Sequence, residues 1–157
     1  MSSNRTWNGH DLADRSKPVT RLFPAFRMVF GLSATCFIGA LVTDVVYATN
    51  PNMQWSNFSM WLLTVGLIIA AIAALVGLVE LLRTRAPGWF RTTWALPVGA
   101  AAASIIEIFN AFVHSRDAWQ SVVPTGLTLS VVAVVILLLI PVLDRMTPAA
   151  RKVRGTL

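Results

Sequence analysis

Charged side chains are scarce in this sequence of 157 residues, where Asp, Glu, Lys and Arg together make up 13%. Soluble domains carry about 25% charged residues, so this chain has too few to cover a surface that faces water. Hydrophobic residues make up 55% of the chain, and its mean hydropathy is +0.65. This composition excludes disorder, a coiled coil and most soluble enzymes, and it predicts a small integral membrane protein.

Cysteine and acidic residues are also few. Cys36 is the only cysteine, which excludes an internal disulfide and a disulfide scaffold. Asp and Glu number 7 against 13 for Lys and Arg, so the formal net charge is +6. In a soluble domain this excess would suggest nucleic acid, but basic residues also collect in the cytoplasmic loops of membrane proteins. We therefore expect the lipid bilayer as a partner and no nucleic acid.

Four apolar stretches are each long enough to cross about 30 Å of hydrocarbon as a helix. The sequence therefore predicts an all-α fold, an integral membrane four-helix bundle. The predicted spans are residues 25–48, 57–82, 92–113 and 123–143. We expect three regions, a mobile polar cytoplasmic N-terminus over 1–24, the transmembrane domain over 25–143 and a basic cytoplasmic tail over 144–157.

Basic residues lie almost entirely on one side of these spans. Of the 13 Lys and Arg residues, only Arg116 falls in a loop on the other side. Because such an excess marks the cytoplasmic side, we predict both termini inside and loops 49–56 and 114–122 outside, in a multi-pass protein of the bacterial inner membrane. Cleavage of a signal peptide after Ala48 is disfavoured, since Asp44 interrupts the apolar region before it.

Polar residues inside the spans need a reason, because an ionisable side chain there costs roughly 2.5–3.5 kcal/mol on insertion scales. The third span carries a polar stripe at helical spacing, made of Ser104, Glu107, Asn110 and His114. Asp44 and Tyr47 form a second pair near the outer end of the first span. If the first and third helices touch, the two sets meet in the outer half of the bundle.

The predicted site is a polar cluster on the periplasmic side with an aromatic rim. The cluster comprises Asp44, Tyr47, Gln54, Asn57, Glu107, Asn110, His114, Arg116 and Asp117, with Thr125 also in its roof, and the rim comprises Trp55, Trp61 and Trp119. Two interpretations stay open. The cluster is either a polar cavity that moves protons or binds a polar head group, or a satisfied network that fixes helix register and holds the outer loops.

Arg27 and Glu80 are predicted to serve structure. Both lie near the cytoplasmic ends of their spans, where a side chain can reach the interface. Glu80 is also three residues from Arg83, on the same helix face.

Small residues at four-residue spacing predict close helix contacts. They are Gly66, Ala70 and Ala74, then Gly99 and Ala103, then Gly126 and Ser130. Pro97 is expected to bend the third helix.

Cofactor sites have weak support in the sequence. A haem b in a helical bundle usually has two axial ligands, and the membrane part holds one histidine, His114, with Met28, Met53 and Met60 as candidates for the second. A metal site of His114, Asp117 and Asp44 is similarly weak, so no metal is predicted. The chain has no nucleotide loop and no nucleophile with a base and orienting group, so we expect no independent catalysis.

Three segments resemble a domain-of-unknown-function family of small four-helix bacterial inner-membrane proteins. They are residues 39–47, 53–62 and 110–119, and the similarity covers roughly residues 20–143. Such proteins are often encoded beside quinoprotein dehydrogenases of the sorbosone type or near c-type cytochromes, so the resemblance implies a periplasmic dehydrogenase or cytochrome as partner. Many members carry a histidine near the head of the first helix, and Arg21 to Arg27 contains none, which weakens a bis-histidine haem role.

The leading functional hypothesis is a non-catalytic membrane subunit that docks a periplasmic oxidoreductase and assists electron or proton transfer to quinone. The tryptophan rim would border the contact or a quinone head group. One alternative is a small oligomeric transporter or channel subunit for protons or a small polar solute, with Glu107 and Asp44 on its path. A second alternative is a structural envelope protein.

Overall fold

The structure, a computed structural model, describes residues 24–84, 94–115 and 122–146. These residues form four long helices, and no strand occurs among them. The helices are α1 (Pro24–Thr49), α2 (Met53–Thr84), α3 (Ala95–His114) and α4 (Leu127–Met146), and a kinked turn at Val122–Gly126, in which Val123 is extended, leads into α4. All four are long and apolar enough to cross a membrane. The predicted all-α four-helix bundle is confirmed for this part of the chain.

The start of α2 differs from the predicted one. The helix begins at Met53, four residues before the predicted start of the span at Asn57. Asn52 caps it, because its side-chain oxygen accepts a hydrogen bond from the backbone N–H of Gln54 at 3.0 Å. A cap fixes where a helix begins, whether or not the first turn is apolar. The start predicted from hydropathy alone was therefore too late in the sequence.

The predicted bend at Pro97 has no basis in α3, because this helix begins close to the proline. The helix begins at Ala95, three residues after the predicted start of the span. Pro97 therefore lies in the first turn, where a backbone N–H has no partner inside the helix. A proline there breaks no helical hydrogen bond.

Glycine lets the helices approach closely at two predicted positions. An added Cβ at Gly66 would lie 2.7 Å from Cε1 of Phe37 on α1, and one at Gly99 would lie 2.5 Å from Cγ1 of Ile140 on α4. Phe37 is fully buried in the apolar core. The α1–α2 and α3–α4 pairs make the most extensive contacts in the bundle.

Arg27 and Glu80 join helices at the end of the bundle that is predicted to be cytoplasmic. The Arg27 guanidinium lies 2.9 Å from Oδ2 of Asp144 on α4. The Glu80 carboxylate accepts hydrogen bonds from the backbone N–H groups of Ala25 at 3.0 Å and Phe26 at 3.2 Å. These N–H groups have no partner within α1, so α2 supplies the cap of α1.

Candidate functional site

Six polar side chains from all four helices meet in the core of the bundle. Each is at most 3% exposed. The set, called the polar network below, is Asp44 of α1, Ser59 of α2, Glu107, Asn110 and His114 of α3, and Ser130 of α4. It lies in the half of the bundle where α1 and α3 end and α2 and α4 begin. The predicted topology assigns this half to the outer side.

The Asp44 carboxylate is the centre of the polar network. Its Oδ1 accepts a hydrogen bond from the Ser59 hydroxyl at 2.6 Å, and its Oδ2 accepts one from the Ser130 hydroxyl at 2.6 Å. Nε2 of His114 lies 3.0 Å from Oδ1. An ionised carboxylate can only accept hydrogen bonds, and here side chains of the three other helices converge on this one acceptor of α1.

Asp44 and His114 share one proton. Nδ1 of His114 lies 3.0 Å from the backbone oxygen of Asn110, which can only accept, so Nδ1 carries a hydrogen. Nε2 faces Oδ1 of Asp44 at 3.0 Å, and two acceptors would repel at that distance. A hydrogen therefore lies between them, on Nε2 in an ion pair or on Asp44 in a neutral pair.

Asn110 links this pair to Glu107. Its side-chain NH₂ donates to Oε2 of Glu107 at 2.8 Å and to the hydroxyl of Ser130 at 2.7 Å. Both hydrogens of the amide are thereby used. Oε1 of Glu107 and Oδ1 of Asn110 are buried and have no hydrogen-bond partner within the described part of the chain.

The structure brings four of the nine predicted cluster residues into the polar network. They are Asp44, Glu107, Asn110 and His114. Tyr47 is also buried, one turn after Asp44, whereas Gln54, Asn57 and Thr125 are exposed. Arg116 and Asp117 lie outside the described residues.

The predicted tryptophan rim is partly described. Trp61 is 69% exposed and Trp55 is half-buried, while Trp119 lies outside the described residues. The exposed indole of Trp61 is two residues from the buried Ser59.

Two members of the network, Ser59 and Ser130, were missed in the sequence analysis. Ser130 was interpreted only as a small packing residue, and Ser59 was not singled out. A serine inside an apolar helix carries little cost and gives no periodic signal. The available clue was that each serine shares a helix face with other small residues, which are typical of contacts between membrane helices.

Ser104 does not follow the rest of its stripe. It lines an apolar cavity of about 430 Å³ between α1, α2 and α3, together with Phe30, Ala70 and Pro97. No network residue lines this cavity. Within the described part of the chain, the polar side chains form a hydrogen-bonded network, and the apolar cavity is lined by other residues.

The three residues Ser59, His114 and Asp44 do not form a nucleophilic triad. In such a triad the carboxylate holds one ring nitrogen and the hydroxyl faces the other. Here Nε2 of His114 faces both Asp44 at 3.0 Å and the Ser59 hydroxyl at 3.3 Å. The arrangement can hold and move a proton, and it does not aim an activated hydroxyl at a substrate.

The described residues do not fit a haem held by His114 and a methionine. Both ring nitrogens of His114 are engaged, with Asn110 and Asp44, and the side chain is 0% exposed. The candidate second ligands face outward, because Met28 is 79%, Met53 45% and Met60 38% exposed. No group of three His, Cys, Asp or Glu side chains suited to a metal ion occurs in the described ranges.

The fold and the polar network define a four-helix membrane protein whose core contains a buried ionisable pair, Asp44 and His114. Residues 24–142 match the model of a family described as "Predicted membrane protein (DUF2231)", and the chain belongs to this family. No curated protein and no solved structure matches the chain.

Proposed function

We propose that this chain is a non-catalytic membrane subunit that takes up and releases protons for an extracytoplasmic oxidoreductase. The observation that carries the proposal is the buried contact of Asp44 with His114 at 3.0 Å. A carboxylate and an imidazole that share one hydrogen can pass it between them with little movement of heavy atoms. Ionisable residues inside membrane spans commonly mark proton relays.

A proton suits this site better than a polar solute does. A solute needs a cavity with room for its own volume, whereas the network side chains contact one another at 2.6–3.3 Å. The cavity of about 430 Å³ is apolar, and none of the network side chains lines it. The same hydrogen bonds also hold the four helices together, and a network with this structural role can still exchange protons.

The outer end of α2 is the surface on which we place the oxidoreductase. Trp61 is 69% and Phe58 49% exposed there, beside the exposed Gln54 and Asn57. Aromatic side chains next to polar ones are enriched where proteins bind each other. The resemblance described above implies a dehydrogenase or c-type cytochrome as partner, quinone as electron acceptor and the bacterial inner membrane as location.

Proton exchange is tested with the imidazole of His114 as probe. The chain has two histidines, so His10→Gln leaves His114 as the one ¹⁵N-histidine signal in lipid nanodiscs. We expect the ring ¹⁵N shifts to change reversibly over the range in which imidazoles titrate, about pH 5 to pH 8, with an altered profile in Asp44→Asn. Ring shifts that stay constant over this range would contradict proton exchange with the outside.

Docking is tested by photo-crosslinking in membranes of the organism that makes the protein. A photoreactive amino acid at Trp61 is expected to capture a dehydrogenase or cytochrome. The control position is Met28, which is 79% exposed near the opposite end of the bundle. Equal capture from both positions, or capture of neither protein class at Trp61, would contradict docking at the outer end.

Proton transport by the chain alone is the second candidate, favoured by the depth of Glu107. Glu107 lies two turns further into α3 than His114, nearer the middle of the bundle. Proton flux through liposomes that is lost in Glu107→Gln would favour transport over a subunit role. Wild-type liposomes that do not dissipate a pH gradient would favour the subunit.

A further inference from the structure

We propose that Glu107 is a second proton-binding site, and that rotation of the Asn110 side-chain amide couples it to the Asp44–His114 pair. The inference rests on the proposed function, which needs only the pair itself to exchange protons. It adds a second site and a mechanical link. Two observations support it, the direction of the hydrogen bonds through Asn110 and the two unpartnered oxygens beside it.

One NH₂ group serves both carboxyl groups. It donates directly to Oε2 of Glu107 at 2.8 Å. It also donates to Ser130 at 2.7 Å, and Ser130 passes its own hydrogen to Oδ2 of Asp44 at 2.6 Å. In this orientation of the Asn110 amide, both carboxyl groups receive hydrogen bonds as acceptors.

This orientation suits an ionised Glu107 and opposes a protonated one. Because Oε2 faces an N–H group, an added proton must bind Oε1. Oε1 has no acceptor among the described residues, and Oδ1 of Asn110 has no donor there. Buried polar atoms without partners are rare in native structures, and each needs an explanation.

A half-turn of the Asn110 amide gives a protonated Glu107 an acceptor. The amide oxygen then takes the position of the nitrogen, opposite Oε2 of Glu107 and the hydroxyl of Ser130. A proton from water outside, bound to Oε2, is donated to this oxygen. Rotation of a terminal amide is soft, and exchange of its N and O atoms changes the shape of the side chain very little.

The half-turn also changes the hydrogen bonds of Asp44. Ser130 turns its hydroxyl hydrogen to the Asn110 oxygen, so Oδ2 of Asp44 loses its donor. An ionised Asp44 is then less well stabilised, and the proton shared with His114 moves onto Asp44. No covalent bond other than O–H and N–H bonds forms or breaks. Protonation of Glu107 thus converts the Asp44–His114 pair from an ion pair to a neutral pair.

The groups that face Glu107 can be named for each helix. The titratable side chains that act on it are Asp44 of α1 and His114 of its own helix. From α2 and α4 the network contains no titratable side chain but two hydroxyls, that of Ser59, which contacts Asp44, and that of Ser130, which contacts Asn110. Direct Coulombic coupling between Glu107 and the pair is therefore the competing explanation, and the experiment must separate it from rotation of Asn110.

The experiment is a double-mutant cycle read at His114. In the His10→Gln background, the pH midpoint of the His114 ¹⁵N shift is measured for the parent chain, Glu107→Gln, Asn110→Leu and the double variant. We expect Glu107→Gln to move the midpoint by about one pH unit, and we expect less than half of that change when Asn110→Leu is present. An equal change in both backgrounds would mean direct Coulombic coupling and would overturn the proposed role of Asn110.

A second measurement needs no substitution at Asn110. Infrared difference spectra between high and low pH are recorded with ¹³C-asparagine, and we expect an asparagine C=O band that appears together with the protonated Glu107 band and is absent in Glu107→Gln. No carboxylic-acid band from Glu107 would overturn the second site. If His114 titrates but Glu107 does not, the proposed function stands and this inference fails. If Glu107 titrates with its asparagine band while the His114 shifts stay constant, the second site stands, and coupling to the pair and the proposed function both fail.

Discussion

Replacement of Asp44 by Ala is expected to lower the free energy of unfolding by about 3–5 kcal/mol, because it leaves the imidazole of His114 buried without its hydrogen-bonded partner. The variant also takes the acceptor from Ser59 at 2.6 Å and from Ser130 at 2.6 Å. Unfolding in mixed micelles with increasing SDS, followed by circular dichroism, measures the loss.

The matched control is Asp144→Ala. Asp144 is also ion-paired, with Arg27 at 2.9 Å, but the two side chains are 22% and 37% exposed. Solvent screens such a pair, so we expect a loss of about 1 kcal/mol or less. Equal losses in the two variants would contradict the central role of Asp44 in the core.

Replacement of Gly66 by Val is expected to have the second largest effect, a loss of about 2–3 kcal/mol from overpacking. A Cβ at Gly66 would lie 2.7 and 2.9 Å from ring carbons of Phe37 and 3.0 Å from Cβ of Cys36. The Phe37 ring is fully buried and cannot turn away. The backbone oxygen of Gly66 also accepts the Ser33 hydroxyl at 2.8 Å, so separation of α1 from α2 would break a buried hydrogen bond.

The control for Gly66 is Gly31 of α1. A Cβ at Gly31 would meet no atom within 4 Å, so Gly31→Val tests the same change in a helix without overpacking. We expect Gly31→Val to alter the unfolding midpoint in SDS by much less than Gly66→Val. If the two variants unfold at the same SDS concentration, the close approach of α1 and α2 is contradicted.

Hydropathy was sufficient to predict the four helices, because apolar segments of this length have few other structures in a membrane. It did not locate the start of α2, where the Asn52 side chain sets the first turn over the polar Gln54. It also could not show that Glu80 caps α1, since that contact spans 55 residues of sequence.

Helical spacing alone placed Glu107, Asn110 and His114 on one face of α3. The contact of His114 with Asp44 depends on which helices touch, and helical spacing within one segment does not determine that. Ser59 and Ser130 were not predicted, because a single hydroxyl in an apolar helix has a low free-energy cost and serine is also a common packing residue there. The two hydroxyl groups that donate to the buried Asp44 carboxylate are therefore identified only from the three-dimensional structure.

The distance between Asp44 and His114 in lipid is the most direct test of the account. Rotational-echo NMR on the His10→Gln protein, with ¹⁵N-histidine and ¹³Cγ-aspartate labels, measures the separation of Nε2 from the Asp44 carboxyl carbon. A direct hydrogen bond at 3.0 Å gives strong dephasing, for a separation of about 4 Å or less, and Asp44→Asn removes it. A wild-type signal without dephasing would place the two side chains apart and contradict the shared proton on which the proposed function depends.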